Sequence, residues 1–337
     1  MKYEYTHFIP QNSAPPEAKK IGVYNAAGKR TMGFPVGRMT PPEGTKLYSF
    51  GLISDTHIQP DSTDGEIYSA RLETALAWFK EQGATFVAHC GDITNVGLYM
   101  GEGSSPGYYP DQFAEFKRIC DLYPDLPVYS ICGNHDSYYS EGPIESYKTE
   151  LQSYTGHGLY YYAYQGNDLL LFISQPSGTL PLNEAELNWL EVMMLSYPHK
   201  RCFVFIHPYI SGDSGNTLDA YGNALLPDSS TVTTRVKKAL AGHGNVVLFH
   251  GHTHFMPSMQ ELDELTNYTN KNGFHSVHVP SLSAPAFVNE AGERQITNEE
   301  SYGYLVDVYD DCILLRGRDF VKNQWIPIGT FKINCRQ

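Results

Sequence analysis

The sequence lacks the features that mark membrane, secreted and thiol-based redox proteins. It has no apolar run near the roughly 18 residues that a membrane helix needs. Its start, MKYEYTHFIPQ, has neither the basic segment nor the apolar segment of a secretory signal. Its six cysteines include no CxxC pair. We therefore expect no membrane association and no zinc ribbon or CxxC redox motif.

The cysteines that are present point to a reducing compartment. Cys90, Cys132 and Cys202 stand in or beside apolar runs that are typical of core strands. A cysteine in such a place behaves as a small hydrophobic residue. The sequence therefore predicts buried free thiols and a cytoplasmic location.

Positive charge is also scarce. The chain has 24 basic and 37 acidic residues, a net charge of -13, and no basic cluster. Nucleic acid binding depends mainly on neutralising phosphates with Lys and Arg, so a nucleic acid partner is disfavoured. A small phosphate ester is still a feasible substrate, because bound metal ions can reverse the local field.

The length of 337 residues allows one large domain or two ordinary ones. Residues 1–45 are rich in Pro and Gly and contain a possible hairpin, KIGVYNAAGKRTMGFPV. We predict that they form an N-terminal extension packed on the core. Residues 46–337 are predicted to form a single domain, with a core at 46–285 and C-terminal strands at 286–337.

From Lys46 onward, strand patterns alternate with helix patterns. Apolar runs such as KLYSFGLIS, ATFVAHC, RCFVFI and NVVLFH are separated by amphipathic segments such as GEIYSARLETALAWFKEQG. This alternation predicts a layered α/β core. The chain ends in YGYLVDVY, CILLRGRDF and WIPIGTFKIN, which we interpret as part of a second sheet packed on the first.

Five of the predicted core strands are followed directly by Asp, Asn or His. The segments are Asp55-Thr56-His57, Gly91-Asp92, Gly133-Asn134-His135-Asp136, His207 and Gly251-His252-Thr253-His254. Open α/β sheets bind ligands at the carboxyl ends of their strands. The sequence therefore predicts one site to which all five strands contribute.

The residue types in this set indicate metal binding. Oxygen donors from Asp55, Asp92 and Asn134, combined with neutral imidazoles, suit Zn, Mn or Fe better than Ca or a soft thiolate metal. Seven donors are too many for one tetrahedral ion. They suit two ions that share a bridging carboxylate, as in phosphatases and nucleases.

The order Asp-x-His, Gly-Asp, Gly-Asn-His-Asp, His, Gly-His-x-His resembles the calcineurin-like metallophosphoesterases over roughly residues 46–285. The resemblance implies a four-layer αββα sandwich of two mixed sheets, with the metal site at strand carboxyl ends. It also implies a metal-dependent hydrolase of phosphodiesters or phosphomonoesters, in which hydroxide derived from metal-bound water attacks phosphorus.

The resemblance also implies roles for individual residues. One divalent or trivalent ion would be bound by Asp55, His57, Asp92 and His254, and the other by Asp92, Asn134, His207 and His252. His135 would stand beside the leaving group, as a general acid or a transition-state stabiliser. Asp136 is predicted to orient an imidazole.

Departures from the family pattern narrow the subfamily. Asn95 stands where purple acid phosphatases have a metal-binding Tyr, and SICGNHD lacks the Arg that precedes Gly-Asn-His in protein Ser/Thr phosphatases. The segment LPLNEAELNWLEVMM resembles a helix of cyclic-nucleotide and glycerophosphodiester phosphodiesterases. A small-molecule phosphodiester is therefore the favoured substrate. The alternatives are a catalytically silent scaffold and a nuclease.

Two further expectations concern the surroundings of the site. In HGHTH, His250 is predicted to be structural, whereas His252 and His254 would project to one side of an extended segment and reach different ions. His89 is predicted to point away from the metals. The loops at 93–112, 137–158 and 209–230 are predicted to line the site.

Overall fold

A computed structural model of the chain describes residues 22–24, 30–32 and 42–335 with gaps. The gaps are at 61, 63, 97, 101–105, 109, 138–143, 177–180, 199, 211–229, 258, 262–263, 266, 271 and 289–293. The predicted packing of an N-terminal extension, and much of the three predicted loops, lie outside the described residues. No helix among the described residues is long and apolar enough to cross a membrane.

Twenty strands and five α-helices are present in the described residues. The strands are β1 (Gly22–Tyr24), β2 (Arg30–Met32), β3 (Lys46–Ile53), β4 (Val87–His89), β5 (Leu98–Met100), β6 (Pro106–Tyr108), β7 (Val128–Ser130), β8 (Tyr160–Gln165), β9 (Asp168–Ile173), β10 (Cys202–Ile206), β11 (Val246–His250), β12 (Met259–Glu261), β13 (Glu264–Leu265), β14 (Tyr268–Thr269), β15 (His275–His278), β16 (Ala286–Val288), β17 (Arg294–Ile296), β18 (Tyr302–Tyr309), β19 (Cys312–Asp319) and β20 (Gln324–Asn334). The helices are α1 (Gly65–Glu81), α2 (Pro110–Asp121), α3 (Ile144–Thr155), α4 (Glu184–Ser196) and α5 (Thr231–Leu240).

The first large sheet has the order β20-β19-β18-β3-β4-β7. Strands β3, β4 and β7 run parallel, whereas β18 is antiparallel to β3. The C-terminal strands β18, β19 and β20 therefore extend this sheet. The expectation that they belong to a second sheet was wrong, because β18 forms its hydrogen bonds with the free edge of β3.

The second large sheet has the order β14-β15-β11-β10-β9-β8. Strands β9, β10, β11 and β15 run parallel, and β8 pairs with β9 in antiparallel register. Because the parallel strands are buried on both faces, their sequences are continuously apolar, as in CFVFI of β10 and VVLFH of β11.

Three apolar clusters define four layers. Aromatic residues of both sheets, such as Phe50, Phe205 and Phe249, fill the space between the sheets, and the Phe205 and Phe249 rings stack 5.2 Å apart. A second cluster joins α1 and α2 to the outer face of the first sheet. A third joins α4 and α5 to the outer face of the second sheet. The predicted α/β fold with an αββα order of layers is confirmed.

Local sequence explains where the helices begin and which faces are buried. The Asn183 side chain accepts hydrogen bonds at the start of α4, and Glu186 bonds back to the Asn183 N–H, which forms a capping box. In α1, Leu72, Ala75, Leu76 and Phe79 are buried, whereas Ile67 in the first turn is 42% exposed.

One helix was not predicted. Helix α3 lies at Ile144–Thr155, inside a segment that the sequence analysis treated as a loop. Its sequence, IESYKTELQSYT, is mostly polar, and Leu151 joins the cluster beneath α1 and α2. Few apolar residues recur in this segment, so hydrophobic periodicity gave no signal for the helix.

Candidate metal centre

The carboxyl ends of β3, β4 and β11 bring four side chains together. Donor atoms of Asp55, His57, Asp92 and His254 all lie within 4.8 Å of one another. His254 Nε2 lies 3.1 Å from Asp55 Oδ1, and His57 Nε2 lies 3.0 Å from His254 Nε2. Both carboxylates and both imidazoles are buried.

A second group shares Asp92 with the first. Donor atoms of Asp92, His207 and His252 also lie within 4.8 Å of one another. His207 Nε2 is 3.2 Å from Asp92 Oδ2 and 3.0 Å from Asn134 Oδ1. The structure therefore brings all seven residues predicted as metal ligands together, with Asp92 between the two groups.

The backbone at this edge of the sheets has an unusual conformation. Five of the seven residues have positive φ angles, namely Asp55 (54°), His57 (46°), Asp92 (53°), His252 (74°) and His254 (62°). Non-glycine residues rarely adopt this left-handed conformation, and strain of this kind concentrates at functional sites. The chain turns at His252 and again at His254, and their imidazoles lie in different donor groups. The prediction of an extended segment at these two residues was wrong.

Glycines beside the ligands let the strands approach closely. A Cβ added at Gly91 would lie 2.6 Å from His207 Nδ1, and one at Gly251 would lie 2.6 Å from Asp55 Oδ2. A Cβ at Gly133 would overlap the Asp92 carboxylate. Side chains at these three positions would fill space that the donor atoms need.

Two imidazoles are oriented by backbone carbonyl groups. His207 Nδ1 donates to Cys90 O at 2.8 Å, and His254 Nδ1 donates to Ala284 O at 3.0 Å. The neutral form of each ring therefore carries its lone pair on Nε2, the atom that faces the carboxylates. Metal-binding histidines are commonly fixed in one tautomer in this way.

Burial and neighbouring charges fix the protonation of the group. Burial, followed by the charge of His207, lowers the pKa of His252 to about 3. Burial also lowers the pKa of His57 well below its ordinary value. For Asp55 and Asp92 burial acts in the opposite direction, but the histidines outweigh it and lower the pKa of both carboxyl groups. Charged carboxylates beside the neutral imidazoles of His57 and His252 form a donor set for cations.

The donor set fits divalent cations. In its neutral form His254 directs a lone pair toward Asp55 Oδ1, and the facing nitrogen of His57 lies only 3.0 Å away. Such lone pairs repel one another unless a proton or a cation lies between them. Although burial opposes it, Asp92 raises the pKa of His207 to about 9. A proton therefore lies between His207 and Asp92 when no cation does.

His135 lies at the edge of the same group. Its backbone N–H donates to Asp92 Oδ1 at 2.8 Å, and its ring stands perpendicular to the His57 ring with centroids 4.8 Å apart. His135 Nδ1 donates to the backbone carbonyl of Asn95 at 2.5 Å. The side chain of Asn95 donates to Gln59 Oε1 at 2.5 Å, so its amide nitrogen already has a partner.

Asp136 has a different role from the one predicted. Its carboxylate accepts hydrogen bonds from Ile93 N (3.1 Å), Thr94 N (2.7 Å), Thr94 Oγ1 (2.9 Å) and Gly133 N (2.8 Å). It therefore joins the loop after β4 to the loop after β7. Among the described residues Asp136 hydrogen bonds no imidazole, so the predicted contact with a histidine ring was wrong.

Residues 281–284 form a supporting segment that was not predicted from the sequence. Ser281 Oγ donates to Asp55 O at 2.9 Å, and Ser283 Oγ donates to Thr56 O at 2.6 Å. Ala284 O accepts from His254, and Arg71 on α1 donates to Ser283 O. The segment thereby joins the loop after β3 to the loop after β11. Serines after a short strand carry no motif that distinguishes them from an ordinary turn.

Other histidines lie behind the site. His89 is buried, pairs with Thr56 Oγ1 at 2.9 Å and packs against Phe116, which agrees with the prediction that it points away from the metals. His278 pairs with Thr253 Oγ1 at 2.8 Å, and its ring packs near that of His250. These residues support the backbone of the ligand loops.

Comparisons with known proteins agree with this fold. A sequence model described as calcineurin-like phosphoesterase matches residues 48–256. No curated protein matches the chain. A dimetal phosphatase from Danio rerio aligns with a TM-score of 0.59 at 14% identity, covering 87% of this chain and 100% of that chain. A purple acid phosphatase from yellow lupin aligns with a TM-score of 0.57 at 14% identity, covering 88% of this chain and 55% of that chain. GAP50, the anchor in the inner membrane complex of Plasmodium, aligns with a TM-score of 0.53 at 14% identity, covering 87% of this chain and 90% of that chain.

Proposed function

This chain belongs to the calcineurin-like phosphoesterase family, and from this premise we propose that it is a dinuclear metal-dependent phosphoesterase whose favoured substrate is a small phosphodiester. The observation that carries the proposal is the pair of buried donor groups that share Asp92. Two ions that share a carboxylate are typical of enzymes that transfer phosphoryl groups to water.

The proposed ligands follow the two groups. Asp55, His57, Asp92 and His254 would bind one ion, and Asp92, Asn134, His207 and His252 would bind the other. When bound, Mn, Fe or Zn ions would offset the charge of the phosphate oxygens and lower the pKa of water. The donor atoms are already oriented, because His207 and His254 are held through Nδ1 by carbonyl groups.

His135 is proposed to act at the leaving group. Its Nδ1–H is committed to Asn95 O, so in the imidazolium form the proton on Nε2 is the one that can pass to the departing alkoxide, which leaves a neutral imidazole. The perpendicular contact with the His57 ring keeps the imidazole beside the donor group. Asp136 is proposed to hold the loops on either side of His135 and to take no direct part in proton transfer.

The preference for a phosphodiester over a phosphomonoester rests on the sequence. The segment LPLNEAELNWLEVMM, which overlaps α4, resembles a helix of cyclic-nucleotide and glycerophosphodiester phosphodiesterases. A diester carries one negative charge near neutral pH, whereas a monoester approaches two.

The proposal is tested by metal analysis together with hydrolysis of p-nitrophenyl phosphate and bis(p-nitrophenyl) phosphate in the presence of Mn, Fe or Zn. We expect two metal ions per chain and a higher kcat/KM for the bis ester. A higher value for the monoester would contradict the substrate preference. Metal binding without turnover of either ester would instead favour the catalytically silent scaffold.

The cellular location is also proposed. The six cysteines are free, and Cys90, Cys132 and Cys202 are buried as the sequence predicts. We propose a cytoplasmic location, since free thiols are kept reduced there. Fractionation of cells that express the full chain would test it, and recovery from an oxidising compartment would contradict it.

The domain organisation is proposed as one metallophosphoesterase domain at residues 46–337 with an extension at 1–45. The pairing of β18 with β3 supports the inclusion of the C-terminal strands in the domain. Limited proteolysis should release the extension first and leave the remainder as one stable fragment. Early cleavage near residue 285 would contradict this organisation.

A further inference from the structure

The peptide group between Asn95 and Val96 is held from both sides. Its carbonyl oxygen accepts the His135 Nδ1–H at 2.5 Å. Its N–H, on Val96, donates to Gln112 Oε1 at 3.1 Å. Because a peptide group is planar, fixing the direction of the N–H also fixes the direction of the carbonyl. The Gln112 side chain thereby orients the acceptor that orients the His135 ring.

Gln112 lies in a setting that favours an apolar residue. It is the third residue of α2, it is 3% exposed, and its neighbour Phe113 belongs to the apolar cluster under the helices. A buried amide is costly unless it is hydrogen bonded. Its oxygen also accepts from Asn95 N at 3.2 Å, an N–H that is shared with Ile58 O at 3.3 Å. The Val96 N–H is therefore the donor that depends most on Gln112.

We propose that Gln112 is a positioning residue for the leaving-group step. Its Oε1 holds the Asn95–Val96 peptide group, which holds the His135 imidazole in the orientation that protonates the departing oxygen. A hydrogen bond to the N–H of a peptide group also polarises its carbonyl, which strengthens the bond from His135. This inference rests on the proposed phosphoesterase function and on His135 as the proton donor.

The test compares Gln112→Met with Gln112→Glu. Met fills a similar volume without an acceptor, whereas Glu keeps an acceptor oxygen at the same distance from the backbone. Initial rates are measured with a series of aryl phosphodiesters whose leaving groups span a range of pKa values. For Gln112→Met we expect kcat to fall about tenfold or more for poor leaving groups and about twofold for p-nitrophenol, with KM unchanged. The slope against leaving-group pKa should return toward the wild-type value in Gln112→Glu.

A double-mutant cycle shows whether Gln112 acts through His135. In a His135→Ala background, Gln112→Met should change kcat by less than about twofold, because the two substitutions remove the same contribution. An undiminished effect in that background would overturn the proposal.

A second measurement does not depend on turnover. In the metal-free protein, the Val96 amide should exchange its hydrogen at least about tenfold faster in Gln112→Met than in the wild type, because its acceptor is gone. Metal content after reconstitution should remain equal to that of the wild type. Unchanged exchange at Val96 would overturn the proposed contact.

Ile119→Val, a buried position on the same helix, is the matched control. It should lower the melting temperature without changing the leaving-group slope or the Val96 exchange. A uniform loss of kcat across all leaving groups in Gln112→Met would make Gln112 a structural residue only. An inactive wild-type protein would overturn the proposed function itself, which separates that failure from the failure of this inference.

Discussion

Asp92 belongs to both donor groups, and each of its two carboxylate oxygens has a partner. Oδ1 accepts from the His135 N–H at 2.8 Å, and Oδ2 lies 3.2 Å from His207 Nε2. Its backbone has a φ of 53° and follows Gly91, whose φ is 92°. A single side chain thus meets both groups because two consecutive left-handed residues turn the chain toward the site.

We expect Asp92→Asn to lose both metal ions and to reduce phosphodiester turnover at least about a thousandfold, because an amide provides one neutral oxygen in place of two charged ones. Metal analysis after dialysis and steady-state rates are the measurements. Asp319→Asn, a change at a buried aspartate outside the donor groups, serves as the control and should retain metal. Two tightly bound ions in Asp92→Asn would contradict the bridging role.

His135→Ala should have a different effect. The ring is hydrogen bonded to Asn95 O and stands perpendicular to the His57 ring, but it belongs to neither donor group. We therefore expect kcat to fall by about 10²–10⁴ while metal content stays at the wild-type level. Loss of metal in His135→Ala would show that the ring binds an ion and that its assignment as the proton donor is wrong.

The identity of the donor residues could be predicted from the sequence more readily than their conformation. Asp55, Asp92 and His207 could be predicted because each follows an apolar strand directly. The left-handed backbone of His252 and His254 could not, since no local pattern distinguishes it from an extended segment. Asp136 was misassigned because its position next to His135 suggested a contact, whereas three of its four hydrogen bonds come from Ile93 and Thr94, about forty residues away.

At the level of elements, glycines with positive φ angles follow both a strand and a helix. Gly91 has a φ of 92°, and an added Cβ would lie 2.6 Å from His207 Nδ1. Gly83, at the end of α1, has a φ of 73°, and an added Cβ would have no atom within 4 Å. Gly83 is therefore needed only for its backbone conformation. Gly91 is needed both for its conformation and for the space that its missing side chain leaves for His207.

We expect Gly83→Ala to lower the free energy of unfolding by about 1–2 kcal/mol through backbone strain alone, without loss of metal. Gly91→Ala should carry a similar strain and should also displace His207, so metal affinity and turnover should both fall at least about tenfold. Denaturant unfolding and metal titration measure the two effects. Wild-type metal affinity in Gly91→Ala would contradict the close packing inferred here.

Sheet membership was the part of the fold that the sequence could not predict. The strand patterns YGYLVDVY and CILLRGRDF form β18 and β19, which pair as a hairpin across Asp310–Asp311. Which sheet it joins depends on the pairing of Val306 with Phe50, two residues far apart in the chain. Alternation of apolar residues specifies a strand and its buried face, but it carries no information about the neighbouring strand.

For the whole molecule, a buried ion pair joins the two sheets. Arg201, just before β10, donates to both oxygens of Asp168 at 2.9 and 2.7 Å and also to Tyr309 O. The Tyr48 hydroxyl on β3 donates to the same carboxylate at 2.5 Å, and burial together with Asp168 raises its pKa. The cluster connects the second sheet to the first at the amino ends of β9 and β10.

Arg201→Met should lower the free energy of unfolding by about 3–5 kcal/mol, because Asp168 would remain buried without its cation. Lys117→Met removes an exposed ion pair with Asp121 on α2 and should change stability by less than about 1 kcal/mol. Both variants should keep wild-type metal content when folded. Equal stability of the two variants, measured by urea unfolding, would contradict the structural role of the buried pair.

The separation of the ligands along the chain has a consequence for biosynthesis. His57 and His254, whose imidazoles face each other, are 197 positions apart, and Ala284 and Ser283 contact His254 and Thr56 from further along the chain. At about 5–20 residues per second, translation of the intervening segment takes on the order of 10–40 s. During that interval the first ligand loop exists without its partners. The donor group that includes both His57 and His254 is therefore complete only after residue 254 has been synthesised, and the strands that precede it in the chain must form without it.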